Sequence, residues 1–136
     1  MVREIMTNEK FLKQPSQIVK PEDIYIADDL RDTLSVHSSH CVGMAANMIG
    51  YKKNMIIVSL GMLSLIMVNP EITKKEEPYQ TEEGCLSLTG TRKTTRYKKI
   101  EVEFYNTSFE KHTQEFSGHV AQIIQHECDH LKGILI

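Results

Sequence analysis

Two histidines close to the end of the chain place the strongest constraint on its fold. The segment His126-Glu127-Cys128-Asp129-His130 has the form HExxH. In a helix, residues four apart project from the same face, so both imidazoles can reach a single metal ion. Glu127 is offset from them, where it can take a proton from a water at that ion. The alternative is an ordinary solvated polar face of a helix.

The residues around this motif predict a helix with one buried side. Ser117 is a good N-cap, and Gly133 stands where a helix C-cap is expected. Apolar residues recur at spacings of four, four and three, forming one stripe that faces the core: Val120, Ile124, Cys128 and Leu131. The last residues, 134–136, are aliphatic and predict a short final strand.

The rest of the sequence predicts two more helices and several antiparallel strands. Helices are expected near 8–13 and over 24–38, where apolar residues recur four apart. Two short apolar runs around a Gly-containing turn predict a hairpin, and Pro70 limits how far its second strand can run regularly. The predicted strands are 54–60, 63–69, 100–105 and 113–116. This pattern indicates an α+β fold in a single domain, residues 1–136.

Composition excludes several classes of function. The 136 residues carry a net charge of −2, which argues against a nucleic-acid-binding surface. The longest apolar stretch, 60–68, is interrupted by Gly61 and Ser64 and is too short to cross a membrane. Because the chain starts without an apolar signal-peptide core, we expect a cytoplasmic protein. In that reducing compartment its three cysteines predict metal binding or reactivity rather than disulfides.

A catalytic metal site with two histidines usually needs a third protein ligand. Cys128 is two residues from His126 on the same helix and points largely away from the metal. Cys41 and Cys85 remain as candidates. Gly84, beside Cys85, lets another backbone or a ligand approach closely. On composition alone, Cys85 could equally be a small buried apolar residue.

Three blocks of sequence resemble the motifs of peptide deformylases. Glu83-Gly84-Cys85-Leu86-Ser87 and Gln125-His126-Glu127-Cys128-Asp129-His130 are similar to the second and third motifs. The first motif, Gly-x-Gly-Leu-Ala-Ala-x-Gln in the family, corresponds to the segment 41–48, Cys-Val-Gly-Met-Ala-Ala-Asn-Met. The resemblance implies the peptide-deformylase-like α+β fold, with antiparallel sheets packed around a central HExxH-bearing helix.

The resemblance also implies a metal site and a reaction. Cys85, His126 and His130 would hold one divalent ion, which in the family is usually Fe2+, with Zn2+ and Ni2+ able to replace it. Glu127 would be the general base and then the general acid. The family removes the N-formyl group from N-formylmethionine at the start of nascent bacterial polypeptides and releases formate. The partners implied are N-formylated peptides and nascent chains near the ribosome, with neither nucleic acid nor membrane, and we expect a monomer.

Substrate-binding positions transfer from the family by motif. The backbone at Val42, Gly43 and Gly84 would pair with an extended peptide. Arg92 matches an arginine near the downstream residues of the substrate, and Arg96 matches one that pairs with Glu83. The alternative for both arginines is a basic surface strand.

One helix face would line the pocket for the methionine side chain. His119, Gln122 and Ile123 lie seven, four and three residues before His126 and share its side of the helix. The family wall is mostly aliphatic, so His119 and Gln122 make this pocket more polar. The alternative is that both side chains point to solvent beside the pocket.

The first motif departs from the family at two positions. Cys41 replaces a glycine, either as a small filler or as an oxidisable thiol near the mouth of the site. Met48 replaces the glutamine whose amide, with the Leu86 backbone N–H, holds the developing oxyanion. A thioether has no N–H to donate, so we expect weakened activity. Asn47 carries an amide, but neighbours on an extended segment point to opposite sides.

Other functions remain open from the sequence. One is a deformylase-like paralogue with weak activity or another N-formyl or N-blocked substrate. A second is a non-catalytic, metal-stabilised peptide-binding module, although such a module would not need a base at Glu127. An HExxH endopeptidase is disfavoured by the block at 83–87. The chain stops soon after Gly133, without the long C-terminal helix of some members, and we expect a minimal form of the enzyme.

Overall fold

The computed structural model describes all 136 residues, Met1–Ile136, and has the predicted α+β class. The helices are α1 (Glu9–Leu12), α2 (Ile26–Val36) and α3 (Gly118–Leu131), with short 3-10 turns at Pro21–Asp23 and Ala46–Ile49. The strands are β1 (Gly43–Ala45), β2 (Met55–Ser59), β3 (Ser64–Cys85), β4 (Leu88–Tyr105) and β5 (Lys111–Ser117). None of the helices combines the length and the apolar character needed to span a membrane.

All strands join in one antiparallel sheet, in the order β1-β2-β3-β4-β5. The predicted hairpin is confirmed, since β2 pairs with the first residues of β3 from Met55↔Val68 to Ser59↔Ser64. Strand β3 continues well past Pro70, but its register shifts between Val68 and Glu71. Pro70 therefore lies at an irregularity, where its missing N–H removes no regular ladder bond.

The long β3–β4 hairpin was only partly predicted. Its register runs from Val68↔Tyr105 to Cys85↔Leu88, and Leu86 and Ser87 form the connecting turn. Most residues between 71 and 82 and between 91 and 99 are exposed, so one face is not consistently apolar. The alternation that reveals a half-buried strand is therefore missing from most of the hairpin.

Helix α3 packs its predicted stripe against the sheet. Ile124, Cys128 and Leu131 are buried, and Val120 packs at the edge of the same core. The helix contacts β1, β2 and β4 along its length. Ser117 is the N-cap residue, as predicted, but its side chain makes no capping hydrogen bond. This packing fixes the position of the HExxH face.

The end of the chain differs from the prediction. Gly133 adopts φ +79°, and its N–H donates to the carbonyl of His130, so the predicted C-cap is confirmed. The prediction of a strand at 134–136 is wrong. The N–H of Ile134 donates back to the carbonyl of Asp129 at 3.0 Å, which commits this residue to capping the helix. Ile136 is nevertheless buried.

Candidate metal centre and active site

Three potential metal ligands meet where the β3–β4 hairpin reaches α3. Cys85 is the last residue of β3, while His126 and His130 lie one turn apart on the helix. The Cys85 sulfur and one ring nitrogen of each histidine lie within 4.8 Å of one another. The structure thus brings together the three residues implied by the family resemblance, although Cys85 and His126 stand 41 positions apart in the sequence.

The two imidazoles face each other through their Nε2 atoms, which are 3.2 Å apart. His126 Nδ1 lies 2.8 Å from Glu83 Oε1, and because a carboxylate can only accept, Nδ1 carries the hydrogen. Burial lowers the pKa of His126, but Cys85 and Glu83 outweigh it and raise that pKa to about 10. Burial, followed by the charge of His126, lowers the pKa of His130 to about 3. The pair therefore favours a single positive charge.

This donor set fits a divalent metal ion. A thiolate and two imidazoles suit zinc, iron and nickel, and ligand distances of about 2.0–2.3 Å from a shared ion are compatible with the observed cluster. Glu127 Oε1 is buried beside it without a hydrogen-bond partner in the chain. Such an orphaned polar atom is expected where a bound ion and its water complete a site.

Glu83 connects the hairpin to the helix through its carboxylate. Arg96 donates to both carboxylate oxygens at 2.8–3.1 Å, which confirms the predicted pair. Gln122 Nε2 donates to Oε2 at 2.9 Å. Burial opposes the charge of Glu83, but hydrogen bonds from His126, Arg96 and Gln122 prevail and lower its pKa to about 2. Arg96 also donates to Asp129 at 2.6 Å, which ties β4 to the end of α3.

Glu127 is a buried carboxyl group next to the ligand cluster. Burial raises the pKa of its side chain to about 7, although the positive charge of His126 opposes the shift. A Cβ on Gly43 would lie 2.6 Å from Cγ2 of Ile123 and 3.0 Å from Oε2 of Glu127. Gly43 therefore allows α3 and the Glu127 carboxylate to approach β1, a packing role that sequence analysis had not assigned to it.

A cavity of about 380 Å³ lies in front of these groups. Six of the seven predicted substrate-binding residues belong to its wall: Val42, Gly43, Gly84, His119, Gln122 and Ile123. The two positions predicted to form the oxyanion site, Met48 and Leu86, also line it. At Gly84, an added Cβ would make only ordinary contacts, the nearest at 3.4 Å from the Gly90 carbonyl. Arg92 does not line the cavity, and its guanidinium donates to the Thr89 carbonyl at 3.4 Å.

The backbone at Asn47 and Met48, in the first motif, is not the extended segment that was expected. Residues Ala46–Ile49 form a 3-10 turn, so the assumption of an extended backbone is wrong. Met48 is buried, lines the cavity and accepts the Ala45 N–H through its sulfur at 3.4 Å. Asn47 turns away and donates to the His130 carbonyl at 2.7 Å. Its amide is therefore committed to α3 and does not replace the missing glutamine.

His40 and Glu82 also line the cavity, although neither was predicted. Neither stands at a motif position or in a periodic pattern, so no sequence signal identified them. Cys41 lines the cavity too, and its thiol donates to the Gly43 carbonyl at 3.0 Å. Burial raises the pKa of Cys41 to about 11. This favours the filler role over a reactive thiol, because the thiolate is the reactive form.

Comparison with known proteins identifies a consistent set of relatives. The model of the polypeptide deformylase family matches residues 2–136. A peptide deformylase of Clostridium beijerinckii is 51% identical over 136 residues, covering 100% of both chains.

Solved structures give the same result for the fold. A Met-Ala-Ser-bound class I type b peptide deformylase from Acinetobacter baumannii has a TM-score of 0.90 at 31% identity, covering 99% of this chain and 97% of that one. The peptide deformylase from Thermotoga maritima has a TM-score of 0.88 at 29% identity, covering 99% and 95%. The deformylase-like fold predicted from the motifs is confirmed.

The ligand assignment can be tested with cobalt as a spectroscopic probe. We expect Co2+ added to metal-free protein to give a thiolate-to-cobalt charge-transfer band that Cys85→Ser abolishes. Cys41→Ser is the matched control, because Cys41 lines the same cavity outside the ligand cluster. Absorption spectra recorded during the titration decide the question. A band that survives Cys85→Ser and disappears in Cys41→Ser would contradict the assignment.

Proposed function

We propose that this chain, which belongs to the polypeptide deformylase family, carries out its reaction with the cavity residues described above. The reaction is hydrolysis of the N-formyl group from N-formylmethionine at the start of nascent polypeptides, with release of formate. One observation carries the assignment of residues. Cys85, His126 and His130 form a compact donor cluster, and the buried carboxyl group of Glu127 stands beside it.

Cys85, His126 and His130 are the proposed ligands of one divalent ion, with Fe2+ as the native metal and Zn2+ or Ni2+ as replacements. When bound, the ion supplies Lewis-acid chemistry, which activates water and polarises a carbonyl oxygen. Glu83 keeps the proton of His126 on Nδ1 and so leaves Nε2 for coordination. Asn47 donates a hydrogen bond to the backbone carbonyl of His130 and so fixes the backbone of that residue.

Glu127 is the proposed proton carrier. Its carboxylate takes a proton from the attacking water and returns it to the amine nitrogen as the C–N bond breaks, so that formate and a free amino terminus result. Burial raises the pKa of Glu127 to about 7, which suits a group that must both accept and donate a proton. The Leu86 backbone N–H, at the hairpin turn, is the proposed donor to the formyl oxygen.

The peptide is proposed to bind as an added strand. The edge strand β1 begins at Gly43, next to Val42, and Gly84 at the end of β3 lines the same cavity. Backbone pairing on these edges would hold the peptide independently of its sequence. The first side chain then enters the cavity beside His119, Gln122 and Ile123. Arg92 is the proposed contact for residues further along the peptide.

The setting proposed for this reaction is the cytoplasm, with a monomeric enzyme acting on chains as they leave the ribosome. This location follows from the substrate, because formylated amino termini arise during bacterial translation. The chain's net charge of −2 gives no reason to add a nucleic-acid contact to this proposal.

Substitution of Glu127 tests the role of the base. Glu127→Gln keeps the shape of the side chain but removes its capacity to accept a proton, so we expect kcat to fall by about 10²–10⁴-fold with one metal still bound per chain. Formate release and metal content, measured on the same sample, provide the test. Activity above about a tenth of wild type in the metal-loaded variant would rule out Glu127 as the base.

Substitution of Met48 tests the missing donor. The loss of one oxyanion donor costs about 10²–10³-fold in other enzymes, so Met48→Gln should raise kcat at least several-fold. Met48→Leu, which has similar size and offers no N–H, is the control and should bring no gain. An unchanged or lower rate in a folded, metal-loaded Met48→Gln protein would refute this account of the first motif.

A further inference from the structure

We propose that Gln122 is a specificity-determining residue whose amide oxygen offers a hydrogen-bond acceptor to the first side chain of the formylated peptide. This inference rests on the proposed function and specifies which peptide substrates the cavity favours. Relative to methionine, peptides whose first side chain ends in an N–H donor, such as glutamine, should be processed about five- to tenfold better than with an apolar residue at position 122.

The orientation of Gln122 follows from its partner. Glu83 is a carboxylate that only accepts hydrogen bonds, so the NH2 group of Gln122 must point toward it, at 2.9 Å from Oε2. The amide oxygen, Oε1, is thereby turned away from Glu83. No group of the chain donates a hydrogen bond to this oxygen, and the oxygen is not fully buried. It therefore remains available to a ligand.

The environment of Gln122 keeps this orientation fixed. Arg96 and His126 also form hydrogen bonds with Glu83. The carboxylate therefore stays charged and continues to accept the N–H of the Gln122 amide. Gln122 itself is half-buried, and it lies in the cavity wall one turn before His126. The same wall contains Ile123 on the inner side and the exposed His119 at the rim.

The effect on selectivity follows from desolvation. A methionine side chain that fills the cavity displaces water from Oε1 without replacing its hydrogen bond. A glutamine side chain of similar length can donate its own N–H to the same oxygen. One neutral hydrogen bond of this kind changes a binding equilibrium by about five- to tenfold. The preference for methionine over glutamine should be weaker by that factor than with an apolar residue at position 122.

The test compares substrates within each protein. The probes are formyl-Met-Ala-Ser, formyl-norleucyl-Ala-Ser and formyl-Gln-Ala-Ser, and the proteins are iron-loaded wild type, Gln122→Leu and Gln114→Leu. Gln114 is the matched control because it is exposed on β5 and does not line the cavity. The ratio of kcat/KM between two substrates cancels any general loss of metal or folded protein.

We expect the glutamine-to-methionine ratio of kcat/KM to fall five- to tenfold in Gln122→Leu, mainly through KM. The norleucine-to-methionine ratio should stay constant in all three proteins. Gln114→Leu should match wild type. An equal glutamine-to-methionine ratio in wild type and Gln122→Leu would overturn the inference. Gln122→Met, which is unbranched like glutamine, provides the same comparison if Gln122→Leu does not fold.

A binding measurement separates this inference from the proposed function. The products Met-Ala-Ser and Gln-Ala-Ser can be titrated into metal-loaded protein by calorimetry without any turnover. Absence of formate release from all three substrates would refute the proposed reaction, whereas the Kd ratio of the two products would still report on Gln122. A Kd ratio that Gln122→Leu leaves unchanged would overturn the role of Gln122 alone.

Discussion

The carboxylate of Glu83 is the interaction on which the rest of the site depends. It accepts hydrogen bonds from Arg96 on β4 and from Gln122 and His126 on α3, so one buried group joins the hairpin to the helix. Removing one partner of a buried ion pair typically costs about 3–5 kcal/mol, because the other charge is left unpaired. The same contact sets the direction of the His126 ring. Fold stability and the geometry of the ligand cluster therefore share one group.

The first motif also holds the helix in place. Asn47 donates to the His130 carbonyl, and Gly43 lets Ile123 and Glu127 come close to β1. The three sequence motifs are thus joined by contacts between their side chains and backbones, not only by their shared cavity. The Asn47 amide is thereby committed to the backbone of His130, one of the proposed metal ligands.

The fold and the centre of the site were predictable where the sequence carried a periodic or spaced signal. The helical stripe from Val120 to Leu131 and the spacing of His126 and His130 depend only on helix geometry, and both predictions hold. The length of the β3–β4 hairpin could not be predicted, because most of its side chains are exposed. The orientation of Gln122 was equally hidden, since it depends on Glu83, a contact across 39 residues.

A metal titration of the wild-type protein under anaerobic conditions tests directly whether this site carries out metal-dependent deformylation. Formate release from formyl-Met-Ala-Ser is measured while Fe2+ is added to metal-free protein. We predict that the rate rises linearly and reaches its plateau at one ion per chain, because Cys85, His126 and His130 form one cluster of potential ligands. A protein that binds one ion per chain at this cluster and releases no formate would show that the cluster is not the centre of the deformylase reaction.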